Sequence, residues 1–126
     1  MSSSPNLGIA LLAEAQSSKY VTVNNAIDAL DGAITDVFTQ AMADANQTPS
    51  MANALAHMVI QCTGALTADR NLVLPNAKKV YAINNQTTGS HNIVVKTSGS
   101  GSTVSIGAAC KWVYCDGSNN FTQIGS

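Results

Sequence analysis

Asp69 and Arg70 form a charged pair that invites a catalytic reading, and His57, His91, Cys62, Cys110 and Cys115 add groups able to move protons, attack or bind metal. Each loses that role once its surroundings are read. Adjacent residues on a strand point to opposite faces, so Asp69 and Arg70 do not act together on one substrate and read instead as an edge or turn pair. His91 follows Gly89-Ser90 in an expected hairpin loop, the place of a polar turn residue. Ser, His and Asp all occur, but no Gly-x-Ser-x-Gly elbow sets a serine on a strained strand-to-helix turn. Gly99-Ser100-Gly101 precedes a strand, not a helix N-terminus, and so lacks the aimed N–H groups of a phosphate loop. On one strand, Cys110 and Cys115 would face opposite ways about 17 Å apart, too far for a disulfide. All three cysteines are therefore expected as buried free thiols. His57 and His91 stand apart from any short Cys pair, which argues against zinc. No catalytic, cofactor-binding or metal-binding residue is assigned, and the chain is read as a non-enzyme.

The elements around these residues carry more information. Over residues 70–123, short apolar runs alternate with Gly, Ser, Thr and Asn clusters. Leu72-Val73-Leu74 stops at Pro75, Val80-Tyr81-Ala82-Ile83 runs into Asn84-Asn85, and Ile93-Val94-Val95 leads to the loop at 98–102. Val104 and Ile106 alternate up to Gly107, and residues 110–115 end at Asp116-Gly117 before Phe121 and Ile124. Such runs, spaced by roughly ten residues with turn residues between, predict a small antiparallel β-sandwich or barrel. Its core is expected from Val80, Ile83, Val94, Val104, Ile106 and Val113. Trp112 and Tyr114 share one face by alternation, either core or surface, with core favoured. Thr87, Thr88 and Ser90, residues 98–102, and Asp116, Ser118 and Asn119 are expected in outward loops open to contact and tolerant of change.

Upstream the pattern changes. Residues 1–18 start polar and turn apolar, and Leu7, Ile9, Leu11 and Leu12 are expected to anchor this arm on another subunit or protein. Val23, Ile27, Leu30, Ile34, Val37 and Ala41 are spaced 4, 3, 4, 3 and 4, a coiled-coil rhythm that predicts an oligomerisation helix over 19–46 with Thr22 as N-cap. Core chemistry alone leaves dimer and trimer open. Gly32 would weaken an exposed helix by about 1 kcal/mol relative to Ala, but permits close approach at a crowded interface. Pro49 ends the helical register. A linker over 47–54 then leads into a β-domain over 55–126, with a first strand over 55–62 and seven or so strands in all. The fold class is α+β.

Composition bounds the partners. A β-domain of about 70 residues lies near the lower limit for comfortable stability, which favours subunit contacts. Only 10% of residues are charged and the net charge is −1, so no basic field exists to hold nucleic acid through its phosphates. No apolar segment reaches the roughly 20 residues needed to span a bilayer, and the Ser-rich start lacks the basic region of a secretory signal. Synthesis in the cytosol, with exit by a route such as lysis, is the expectation.

Two stretches resemble known modules. Residues 63–75, Tyr81, residues 84–89, residues 93–97 and Val113-Tyr114-Cys115-Asp116-Gly117 are similar to a small β-domain recurrent in bacteriophage fibre and other virion proteins. Pro5-Asn6-Leu7-Gly8, Ala15-Gln16, Lys19-Tyr20-Val21-Thr22 and residues 24–31 resemble a short N-terminal module of phage tail and prophage fibre-like proteins. Tyr20 and Asn25 stand where that module commonly carries a Lys-His or basic-aromatic step and its Asn. The resemblance implies a virion protein made in the host cytoplasm, a fibre-like homotrimer attached to tail or baseplate. A head fibre or capsid-decorating protein would share the layout. A third class, a glycan-binding adhesion module, would need exposed aromatics from among Tyr81, Trp112, Tyr114 and Phe121.

Overall fold

The protein is represented by a computed structural model that describes residues 3–13 and 16–125. Helix α1 spans Lys19–Thr35, and strand β1 follows at Val37–Ala41. The short helix α2 (Met51–Leu55) precedes β2 (Val59–Thr63), β3 (Arg70–Val73), β4 (Lys79–Asn85), β5 (Ile93–Lys96), β6 (Val104–Ile106), β7 (Cys110–Cys115) and β8 (Phe121–Ile124). The class is α+β, as expected, but the strand arrangement is not the expected antiparallel one. A five-stranded sheet runs β1-β2-β4-β7-β8 and a three-stranded sheet runs β3-β5-β6. β1 with β2, β2 with β4, and β3 with β5 are parallel, and the remaining pairs are antiparallel. Both sheets are mixed and open, so no barrel closes.

Alternation along the strands sorts side chains into an inner and an outer set. Ile60 and Cys62 of β2, Tyr81 and Ile83 of β4, Val113 and Cys115 of β7, and Phe121 of β8 share one buried cluster with Leu72, Ile93, Val95, Val104 and Ile106 of the smaller sheet. Ile83, Val104, Ile106 and Val113 are thus core residues, as expected. Val94 is only half-buried, and Val80 is exposed because it sits between the inward Lys79–Tyr81 pair on the opposite pleat.

Three boundaries depart from the sequence reading. The helix ends at Thr35, where Asp36 turns extended and its N–H still donates to the Gly32 carbonyl at 2.9 Å. The Asp36 carbonyl then accepts from the N–H groups of Met58 and Val59, which places the next residues beside β2. Val37 and Ala41, expected in the helical seam, therefore lie on β1, where β-branched and aromatic residues with a waiting partner strand override the heptad rhythm. Thr22 is not the N-cap: Ser18 holds that position in left-handed geometry without a side-chain bond, and the Thr22 hydroxyl instead accepts from Gln16. The expected strand over 55–62 splits, because Ser50 caps α2 by accepting from Asn53 N–H at 3.1 Å and the strand begins only at Val59. Gly32 is buried, and a Cβ there would lie 2.9 Å from the Ala56 carbonyl oxygen, so the close approach it permits is to the end of α2 in the same chain.

The loops are held by side-chain hydrogen bonds. Asn85, buried at the end of β4, donates through Nδ2 to the carbonyls of His91 and Ile106 at 3.1 and 2.9 Å, while its Oδ1 accepts from the Thr87 N–H and hydroxyl. The 98–102 loop lies under the turn after β7. Buried Thr97 donates to Asn119 Oδ1 at 3.0 Å, and Ser102 N–H donates to Asn120 Oδ1 at 2.9 Å. Thr88, Ser90, Asp116 and Ser118 remain exposed, whereas Thr87 and Asn119 are partly buried.

Gly101 is where this interlock is tightest, since a Cβ would lie 1.7 Å from the Asn119 carbonyl oxygen. At Gly107 the nearest atom would be Asn92 Oδ1 at 3.6 Å, an ordinary contact. Gly101→Ala is therefore expected to destabilise the fold by about 2 kcal/mol or more through overpacking, and Gly107→Ala by less than about 1 kcal/mol. Urea unfolding midpoints of the two variants check this, and equal midpoints would contradict the interlock.

Candidate interaction surface

Most of the groups singled out as able to do chemistry have structural partners. Asp69 precedes β3 and Arg70 opens it, and the two diverge: Arg70 reaches Asp44 at 3.0 Å, while Asp69 accepts from Asn92 N–H at 2.8 Å and lies 3.5 Å from His91 Nδ1. Asp44 also accepts from the N–H and hydroxyl of Thr67 at 2.9 and 2.8 Å. These bonds, led by the Thr67 N–H, with the Arg70 guanidinium beside them, hold the Asp44 carboxyl down to about 2. His57 packs its ring on Phe38 at 5.4 Å and places Nδ1 2.6 Å from the Asn53 carbonyl. Lys79 donates to the His57 carbonyl at 2.6 Å with its Nζ 4.0 Å from the Tyr81 ring centre, and burial lowers its pKa to about 8. Cys62 and Cys115 are buried thiols, and burial pushes Cys62 up to about 12. Cys110, five positions before Cys115 and on the other face, is exposed, which corrects its expected burial. Among the described residues no cluster of three or more His, Cys, Asp or Glu comes together, and no helix is long and apolar enough to cross a membrane.

What the fold leaves over is apolar surface, in two places. The first is α1. Its buried residues are Gly32 and Ala33, at the end where it meets α2. Val23, Ile27, Leu30 and Ile34 remain between 39% and 59% exposed, although they keep the 4, 3, 4 spacing of a single stripe. The helix also carries Val, Thr and Asn, weak helix formers, and about five turns with so little packing are marginal in water. A half-exposed apolar stripe of this kind is a candidate interaction surface.

The arm covers part of it. Residues 3–10 fold back on themselves, with Ser4 N–H donating to the Ile9 carbonyl and Ser4 Oγ accepting from Ile9 N–H, around Gly8 at a φ of 68°. Leu7 and Ile9 line a groove with Ala26 and Ala29 of α1 and Met51 and Leu55 of α2. Leu11 and Leu12 line another with Val23, Ala26, Ile27 and Leu30, and both stay more than 40% exposed. The four leucine and isoleucine residues expected to grip another molecule thus lie first against the chain's own helices. An apolar run with no partner in its own segment does not disclose which partner it takes.

The second place is the outer face of the five-stranded sheet. The ladder aligns Val37, Val59, Ala82, Trp112 and Ile124 in one row across all five strands, with Val80 beside Tyr114 in the next. Trp112 is 50% and Tyr114 38% exposed, so the core placement favoured from sequence is overturned. Val113 and Cys115 take the inward positions of β7, which leaves the two aromatics outside. The other two aromatics of the glycan reading, Tyr81 and Phe121, are in the core with ring centres 6.2 Å apart.

The Asp44 latch carries a pH signature. Its carboxyl titrates at 3.8 when unperturbed and near 2 in the fold, so its stabilisation is complete above pH 3.8 and is lost as pH falls through 2. Asp44→Asn is expected to be less stable than wild type at pH 5 and to converge with it toward pH 2. Thermal melts at both values check this, and a constant gap would contradict the latch.

Comparison with protein-family models, with curated proteins and with solved structures finds no match to this chain.

Proposed function

We propose that the chain is a non-enzymatic bacteriophage virion structural protein, a small trimeric fibre-like subunit attached to the tail or baseplate. The observation that carries the reading is the half-exposed stripe Val23, Ile27, Leu30 and Ile34, only partly covered by the arm, on a helix buried only at Gly32 and Ala33. Copies joined along that stripe form a short coiled coil, and the β-body behind it, its two sheets packed as a sandwich, is the knob. With Val37 and Ala41 on β1, the seam keeps about two heptads, which makes other contacts necessary for a stable assembly. The resemblance of residues 5–31 and 63–117 to phage tail and fibre modules supplies the virion setting. Leu11 and Leu12, half-exposed on the arm, are the anchoring candidates toward a neighbouring virion protein.

A head fibre or capsid-decorating protein uses the same stripe and the same arm. Its supporting observation is the pinned loops: the 85–92 and 98–120 segments are braced by Asn85 and Asn119, as suits a body embedded among neighbours. Particle imaging separates the two positions.

Wild-type protein is expected to scatter light as an oligomer of the 13.0 kDa chain, with three copies favoured. The double variant Ile27→Asp and Ile34→Asp places charges in the seam at a penalty of several kcal/mol and should be monomeric with its β-body folded. A wild type that is monomeric at micromolar concentration overturns the assembly reading. Absence of the chain from purified particles by mass spectrometry overturns the virion setting.

A further inference from the structure

We propose that the outer face of the five-stranded sheet, centred on Trp112, is a second self-association surface, occupied by a neighbouring copy of this chain. The inference rests on the helix-mediated assembly above and extends it from the helix to the β-body.

A stable interface of standard size removes about 800 Å² from each partner. Taken with the exposed fractions of Tyr20, Val23, Ile27, Leu30 and Ile34, the α1 stripe offers roughly 500 Å² of apolar surface, short of that need. The outer sheet face, through Val37, Val80, Trp112, Tyr114 and Ile124, adds roughly 400 Å² and brings the total to standard size.

The two surfaces are also linked along the chain: Ile34 closes the stripe, and three residues later Val37 opens the cross-sheet row, which passes half-buried Val59 and buried Ala82 to reach exposed Trp112 and Ile124. The row contains no ionised side chain, so apposing identical faces brings no like charges together, and the low overall charge adds little long-range repulsion. The composition also suits a protein partner better than a sugar: aliphatic residues flank the two aromatics, in the manner of an interface core.

The chain has a single tryptophan, so the emission of Trp112 reports on this face alone. Acrylamide quenching is compared between wild-type oligomer and the monomeric Ile27→Asp, Ile34→Asp variant. The expected quenching constant is at least about threefold lower in the wild type, because an interface core excludes solvent. Trp112→Thr, a substitution suited to an exposed strand position, is expected to raise the dissociation constant of the oligomer by about thirtyfold or more, as loss of a central aromatic does, with circular dichroism unchanged. An oligomer whose Trp112 is quenched as readily as in the monomer overturns the proposal and leaves the helix-mediated assembly standing. Shielding that appears in that oligomer only on adding soluble lipopolysaccharide-derived oligosaccharide also overturns it, and assigns the face to a glycan. A monomeric wild type overturns both.

Discussion

The alternation along β4 is the constraint on which the rest of the body depends. β4 lies between a parallel neighbour, β2, and an antiparallel one, β7, and sends Tyr81, Ile83 and Asn85 inward. A slip of one residue would expose the first two and bury Val80, Ala82 and Asn84 in their place. Asn85 makes that slip especially costly. Its amide bonds the His91 and Ile106 carbonyls only in this register, and each buried carbonyl left without a donor would cost about 1–3 kcal/mol. One polar side chain thereby helps to specify the register of a strand whose other fully buried inward side chains are Tyr81 and Ile83, and it fixes the loop through Thr87 at the same time.

Strands β4 to β8 were legible because local signals agree there: apolar alternation, β-branched residues and turn residues at each end. β1 and α2 were not. In Val37, Phe38 and Thr39 the local preference for strand was masked by a heptad rhythm that happens to continue through Val37 and Ala41. The matter is decided by Asp36, whose carbonyl meets β2, a contact across about twenty residues that no local window contains. The sequence does carry a signal for the α2 start, Ser50 ahead of Met51, but it competes with an alternating, strand-like pattern in residues 54–62. The parallel pairings had no local signal at all, since both strand directions show the same period of two.

The surface was legible in part. The spacing of Val23, Ile27, Leu30 and Ile34 marks a stripe whether or not anything covers it, and the structure leaves that stripe open. For Trp112 and Tyr114, alternation says that they share a face but not which face. The choice falls to Val113 and Cys115, smaller residues that fit opposite Ile93 and Val104 in a core already holding Tyr81 and Phe121. For the charged residues the partners were not visible in the sequence: Asp44, the acceptor for Arg70, lies 26 positions away.

The strand order also sets a timetable. Phe121 is 1% exposed and belongs to β8, the last strand, while β4 gains its antiparallel neighbour only with β7. The body therefore cannot close until nearly all of these residues have been synthesised, and its parallel pairs are of the slow-forming, long-range kind. Helix α1 is complete about ninety residues earlier, which at ordinary elongation rates is roughly 5–20 s. During that interval α1 lacks both the end of α2 that Gly32 packs against and the sheets that follow, so the helix has to wait for later residues to support it, and the body for the last strand.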